Sequence, residues 1–225
     1  MILAIDSSTQ WLSVALYDAA EEVFPFEKTW RSTRRHTIEL APAVAEILNE
    51  VGATIHDLQA LAVATGPGSF TSLRIGLAFA KGMALANHIA LIGVPSLDIL
   101  AFSHPAADLP LICVLQAGRD KLAACRYFYQ EQWIAQGDPF VLTPQELSEE
   151  IETETLICGE MNAEERKIIG RKWKKAHLCS PSGSVRRAAW LAELAAQKLM
   201  QGKIDDPMTL APIYLHTANP IPDVA

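Results

Sequence analysis

Two short polar stretches carry the residue types that hold phosphate. Asp6-Ser7-Ser8-Thr9 follows the apolar run Ile2 to Ile5. A carboxylate at the end of a strand with hydroxyls directly after it is a donor set for Mg²⁺ and phosphate oxygens. The same residue types also build a turn in which the aspartate accepts from its own backbone amides, and both readings stand at this point. The second stretch is Thr65-Gly66-Pro67-Gly68-Ser69-Phe70-Thr71, between an apolar run and a long alanine-rich segment. Gly66 and Gly68 let the chain turn sharply, and the free N–H groups that open the next helix carry partial positive charge, so the turn is an anion cradle in principle. The plainer alternative is a strand-to-helix turn capped by Ser69 or Thr71.

Other reactive residue types form no such constellation. The six histidines, His36, His56, His88, His104, His177 and His216, are scattered without an i, i+4 pair. A metalloprotease needs two imidazoles on one helix face, so that reading fails. The four cysteines, Cys113, Cys125, Cys158 and Cys179, contain no C-x-x-C pair and read as reduced, small core residues. A net charge of −7 argues against a general nucleic-acid binder. Two local exceptions are Arg31, Arg34, Arg35 and His36, and Arg166, Lys167, Arg171, Lys172, Lys174 and Lys175. Solvated helix ends or an RNA contact would account for either.

These residues must be positioned by an α/β scaffold. With 225 residues, 50% hydrophobic and 20% charged, the chain can bury one large core or two smaller ones. Apolar periodicity predicts strands at 2–6, 11–17 and 22–28, a helix at 37–51, a strand at 61–65, a helix at 71–87, a strand at 90–94 and a short helix at 96–102. After the proline-bearing 103–110 segment the order restarts. Strands are predicted at 111–116, 122–129 and 132–136, then a helix at 144–151, a strand at 155–158, a helix at 163–169, a strand at 175–178 and a final helix at 184–200. Two lobes with one element order follow, over 1–102 and 103–225, the second more divergent and its final helix or tail free to pack back on the first. No run reaches the roughly 18 to 20 apolar residues of a membrane span, and the N-terminus lacks a signal-peptide pattern, so a cytoplasmic location is expected.

Paired lobes of this order resemble the actin, sugar-kinase and heat-shock-chaperone superfamily, with two RNase H-like α/β lobes. Met1-Ile2-Leu3-Ala4-Ile5-Asp6-Ser7-Ser8-Thr9 is similar to that superfamily's first phosphate loop. Taken with Thr65-Gly66-Pro67-Gly68-Ser69-Phe70-Thr71-Ser72-Leu73-Arg74-Ile75-Gly76, Ala80-Lys81-Gly82, Arg35 to Pro42 and Pro212 to Leu215, it resembles the TsaB (YeaZ) family, strongly over 1–102 and thinly from 103 to 211.

That resemblance implies a noncatalytic partner of the TsaD transferase in making N6-threonylcarbamoyladenosine on tRNA, with the ATPase TsaE joining the complex and tRNA reached indirectly. It also implies a homodimer when TsaD is absent. TsaD proteins carry a metal-binding His-x-x-x-His where this chain has Val94-Pro95-Ser96-Leu97-Asp98-Ile99-Leu100, so neither a metal nor a catalytic residue is expected here. The superfamily's second phosphate loop corresponds to Gln116-Ala117-Gly118-Arg119-Asp120 and its adenosine loop to Cys158-Gly159-Glu160, both poor in glycine. No cofactor is then required. Asp6, Ser7, Ser8 and Thr9 become a vestigial phosphate loop that, with Gly66 and Gly68, would bind ATP or ADP weakly at most.

The 71–87 helix is apolar almost all round, which usually means burial on more than one side. Gly76, Ala80 and Ala84 share a face on which another helix can approach closely; full enclosure within one fold is the alternative. By resemblance, the TsaD contact and the homodimer contact use the 37–51 and 71–87 helices. The residues expected there are His36, Leu40 and Val44 of the first, and Leu73, Arg74, Gly76, Leu77, Ala80, Lys81 and Ala84 of the second. The rival readings are an autonomous ATP-dependent phosphotransferase or hydrolase of the same superfamily, which predicts turnover abolished by Asp6→Ala, and a peptidase acting on its partner.

Overall fold

A computed structural model describes residues 1–33, 35–118 and 120–215. Arg34, Arg119 and His216, each part of a sequence reading above, lie outside the described residues. The first half contains β1 (Ile2–Asp6), β2 (Trp11–Asp18), β3 (Val23–Arg31), α1 (His36–Val51), β4 (Ala60–Gly66), α2 (Phe70–Asn87), β5 (Ala90–Pro95) and α3 (Ser96–Phe102). The second contains β6 (Leu111–Gln116), β7 (Leu122–Gln130), β8 (Gln132–Ala135), β9 (Phe140–Leu142), α4 (Pro144–Glu150), β10 (Thr155–Gly159), α5 (Ala163–Gly170), β11 (Ala176–Leu178) and α6 (Ala188–Met200). Among the described residues no helix is long and apolar enough to cross a membrane.

The strands form two sheets, ordered β3-β2-β1-β4-β5 and β11-β10-β6-β7-β8, with β9 paired to β7. In each, an antiparallel hairpin feeds a parallel run: β1 pairs antiparallel with β2 and parallel with β4, while β6 pairs antiparallel with β7 and parallel with β10. This is the RNase H-like α/β arrangement, present twice. β9 and a one-turn helix at Ile55–Asp57 were not predicted; at three residues each, neither offers a full period of apolar pattern to read.

Both faces of the first sheet are covered, and the sequence alternates accordingly. Leu3 and Ile5 of β1 face the α1/α2 layer with Leu61 and Val63 of β4. Ile2 and Ala4 point the other way, with Ala60, Ala62 and Ala64, into a layer filled by α6. The small side chains on that face admit the equally small Ala188, Ala192 and Ala195, so helix and sheet pack closely. The last helix thus returns to the first sheet. Conversely, α3 sends Leu97, Leu100 and Ala101 into the second lobe's core beside Leu111, Cys113 and Tyr127. A cut at 102/103 therefore separates each of these helices from the sheet it covers.

The 204–215 segment straps the first lobe. Asp205 N donates to Leu91 O at 2.8 Å, and Gly93 N donates to Asp205 Oδ2 at 2.8 Å. Further along, Ile213 N donates to Thr65 O at 2.7 Å.

Candidate functional site

The two glycine- and hydroxyl-bearing loops meet, as β1 and β4 are parallel neighbours whose C-terminal ends share one edge of the sheet. Both are occupied by the protein itself. At the end of β1, Asp6 Oδ1 accepts from Ser8 N at 2.8 Å and from Ser8 Oγ at 2.5 Å, the turn chemistry read as one alternative from sequence. The other carboxylate oxygen accepts from Arg186 Nε at 2.9 Å. Arg186 then reaches Glu160 Oε1 through Nη1 at 2.9 Å, and Ser8 Oγ and Thr9 Oγ1 through Nη2 at 3.0 and 3.2 Å. Thr9 Oγ1 donates to Glu160 Oε1 at 2.7 Å, closing the network. Asp6 lies in the first lobe, Glu160 follows β10 in the second, and Arg186 precedes α6, so one guanidinium joins the lobes.

Arg186 is 1% exposed, and Asp6, Ser8 and Thr9 are also buried. Burial works against its charge, but the Asp6 and Glu160 carboxylates outweigh that and hold its pKa above the ordinary arginine value. The place where a bound cation would meet the Asp6 loop is filled by an internal one, with four side-chain oxygens around it.

The remaining loop residues hold the lobe together. Ser7 Oγ donates to Ser72 O at 2.8 Å, which requires Gly76: a Cβ there would stand 2.1 Å from Ser7 Oγ. Ser69 N donates to Ser8 O at 2.7 Å, and a Cβ on Gly68 would sit 2.1 Å from that oxygen. Ser69 caps α2, its Oγ accepting from Ser72 N at 3.5 Å. A Cβ on Gly66 would meet Ile213 O at 2.8 Å, so the strap covers this loop too. Gly66 and Gly68 are thus spent on close backbone contacts.

The expected interface residues divide. His36 is buried and fixes the first loop, its Nε2 donating to Thr9 O at 2.9 Å. Leu40, Val44, Leu73, Leu77, Ala80 and Ala84 are also buried within the chain, and Gly76 faces Ser7. For these positions enclosure within one fold holds, because α2 turns its Gly76-Ala80-Ala84 face onto its own sheet. Arg74 is exposed but committed, lying 3.7 Å over the Phe70 ring and donating from Nε to Tyr214 Oη at 2.9 Å. Lys81 donates to Leu210 O at 2.8 Å.

Arg186 itself was missed, because the sequence predicts a final helix from 184 while α6 begins at Ala188. Residues 182–184 form a one-turn helix and Arg187 is extended, which turns Arg186 inward. A cation at the start of a helix opposes the helix dipole, and that conflict at Arg186-Arg187 was the available signal.

Two buried clusters lie outside this site. The cysteines gather in the second lobe, with Cys113 Sγ 3.5 Å from Cys158 Sγ on paired strands. Burial pushes the Cys158 thiol up, but the Cys113 thiol against it and the nearby His104 ring bring it down to about 7. In the α3 segment where TsaD proteins carry histidines, Asp98 Oδ1 accepts from Tyr127 Oη at 2.7 Å. Burial holds the Asp98 carboxyl above its usual range, more than Tyr127 and Lys198 lower it. The folded state keeps this proton to a higher pH than the unfolded chain does. Stability from this group is therefore present below the unfolded value of about 3.9 and is lost as pH rises through the folded one. Wild type is expected to gain on Asp98→Asn as pH falls from neutral toward 4, which urea midpoints across that range check.

The chain matches the family model described as TsaD, tRNA N6-adenosine threonylcarbamoyltransferase, over residues 30–210. It is 42% identical over 100 residues to the tRNA threonylcarbamoyladenosine biosynthesis protein TsaB of Escherichia coli, an alignment spanning 44% of this chain and 42% of that protein. The same-named protein of Haemophilus influenzae is 26% identical over 95% of this chain and 92% of its own length. The solved structure of YeaZ from Pseudomonas aeruginosa superposes with a TM-score of 0.75 at 23% identity, covering 95% of this chain and 99% of that one, which shows the shared fold. With a transferase-family domain over most of its length and TsaB relatives on both sides of the lobe boundary, the chain belongs to the TsaB (YeaZ) family.

Proposed function

We propose that this chain is the noncatalytic subunit of a tRNA N6-threonylcarbamoyladenosine modification complex, binding a TsaD-type transferase and working with a TsaE-type ATPase. The observation that carries the reading is the Asp6–Arg186–Glu160 network. A transferase-family domain whose first loop is bonded to its own guanidinium has that loop's carboxylate and hydroxyls committed to an internal cation, which supports a role other than nucleotide turnover. Weak ATP or ADP binding, if it occurs, would lie outside this network.

The docking surface is the outward face of the two helices named above, shifted from the positions first expected. On α2 the exposed small residues are Ala78, Gly82 and Ala86, flanked by Leu85; on α1 they are Ala41, Pro42 and Ala45, beside Ile38. Ile38 is 59% and Leu85 50% exposed, so an apolar, nearly uncharged patch faces solvent in the isolated chain. In the absence of the transferase, two copies would pair through it.

The peptidase reading needs a nucleophile beside a base at an open surface. Ser32 Oγ and His36 Nδ1 are 3.5 Å apart, but both residues are buried and His36 holds Thr9 O. Reconstitution with TsaD-type and TsaE-type proteins, tRNA and threonylcarbamoyl-AMP tests the proposal. Modification is expected to fall to background when this chain is omitted; full modification without it would overturn the reading. The phosphotransferase alternative predicts tight Mg-ATP binding by the chain alone, measurable by calorimetry.

A further inference from the structure

The docking face leaves a second surface without a role, on the other lobe. The end of α5 and the turn into β11 expose Lys167, Arg171, Trp173, Lys174 and Lys175. Trp173 is 69% exposed, more than any other described aromatic side chain, and Lys174 Nζ lies 5.4 Å from its ring. Among the described residues, none of the four cations forms an ion pair. The neighbouring Arg166 and Lys172 turn inward onto the backbone oxygens of Cys179 and Glu149, at 2.7 and 3.2 Å. Of the nearby acids, Glu150 is taken by Arg126, and Glu154 lies 3.1 Å from His177 Nε2. Exposed Glu149, Glu152 and Glu164 remain, and none of them comes within ion-pair distance of the four cations.

Unpaired cations bind phosphates by releasing counterions, and an exposed indole offers an unstacked base a face to stack on. A chain of net charge −7 gains nothing in general solubility from concentrating free positive charge around a solvated tryptophan. We infer that Lys167, Arg171, Lys174 and Lys175, with Trp173, form a contact surface for the backbone and an unpaired base of a structured RNA. The inference rests on the reading of the chain as a tRNA-modification subunit and names where that RNA touches it. Because the patch is at the β11 edge of the second sheet and the docking helices are in the first lobe, both partners can be held together.

The test titrates the full chain into a fluorescently labelled tRNA transcript between 50 and 200 mM salt. Four neutralised phosphates give a log–log salt slope of about 3. The K167E/R171E/K174E/K175E variant is expected to lose at least about tenfold in affinity, together with most of that slope. W173A is expected to lose roughly fivefold at an unchanged slope, since stacking involves no counterions. All five side chains are exposed, so both variants should keep the wild-type melting temperature and still co-purify with the TsaD-type partner. Wild-type RNA affinity in the charge-reversal variant or in W173A overturns the inference, as does equal binding of the chain to anionic lipid vesicles. Either result leaves the reconstitution assay standing, whereas dispensability of the chain in that assay removes the functional reading whatever the RNA titration shows.

Discussion

Replacing Arg186 with alanine is expected to cost about 3–5 kcal/mol of folding stability at pH 7, the range for stripping one partner from a buried ion pair. Asp6 and Glu160 would then face each other with no cation between them. Two hydroxyls, on Ser8 and Thr9, would lose a donor in the same step. The stability lost is the desolvation of stranded carboxylates rather than the net strength of the wild-type network, because a buried network contributes little beyond a well-packed apolar replacement. Removing the stranded charge should therefore restore most of the loss: the triple variant with Asp6→Asn and Glu160→Gln is expected to lie well above Arg186→Ala in urea midpoint. The adjacent Arg187 supplies the internal control. It pairs with Glu27 but is 54% exposed, and Arg187→Ala should cost under about 1 kcal/mol. Equal losses from the two arginines would refute the special role of Arg186. Since the guanidinium ties β1 to the loop after β10, its loss should also raise hydrogen exchange at the inner ends of both sheets.

Much of this scaffold was legible from sequence, for reasons visible in particular elements. β1, β4 and β6 read as strands because each is a short, wholly apolar run closed by polar or glycine residues, and α1 and α2 because apolar spacing persists over four turns or more. What pattern cannot carry is pairing between remote residues. Arg186 lies 180 positions from Asp6 and 26 from Glu160, and nothing local marks it as internal beyond its conflict with the helix dipole. Reading Asp6 to Thr9 as a loop of polar ligands named residues that the fold gathers, but not Arg186, which bonds to three of them. Gly76 misled in the opposite direction. A glycine at four-residue spacing from Ala80 and Ala84 reads as a groove for a second helix, yet its missing Cβ makes room for Ser7 Oγ in the same chain. Periodicity identified an apolar helix but not which of its small faces looks outward.

The second large effect is expected at the outward face, where Gly82→Arg should weaken association with the TsaD-type partner at least about 100-fold, or roughly 3 kcal/mol. Gly82 sits on the exposed side of the fourth turn of an 18-residue helix, where glycine costs about 1 kcal/mol relative to alanine. Nothing lies within 4 Å of where its Cβ would be, so no contact inside the chain accounts for it. A partner backbone approaching closely there does account for it, since arginine would hold the two surfaces apart. The same substitution should leave the isolated chain as stable as wild type or slightly more so, because arginine favours a helix and meets open space. Gly76→Ala, two residues from the outward stripe, should behave in reverse. Its Cβ must displace Ser7 Oγ from Ser72 O, costing about 1–3 kcal/mol of stability, and Ser7→Ala in the same chain should recover part of that. Thermal melts of the isolated variants beside calorimetric titration with the transferase separate the two faces. If Gly82→Arg binds as wild type while Gly76→Ala folds normally and fails to bind, the partner sits on the face that the structure shows turned inward, and the docking surface assigned here is wrong.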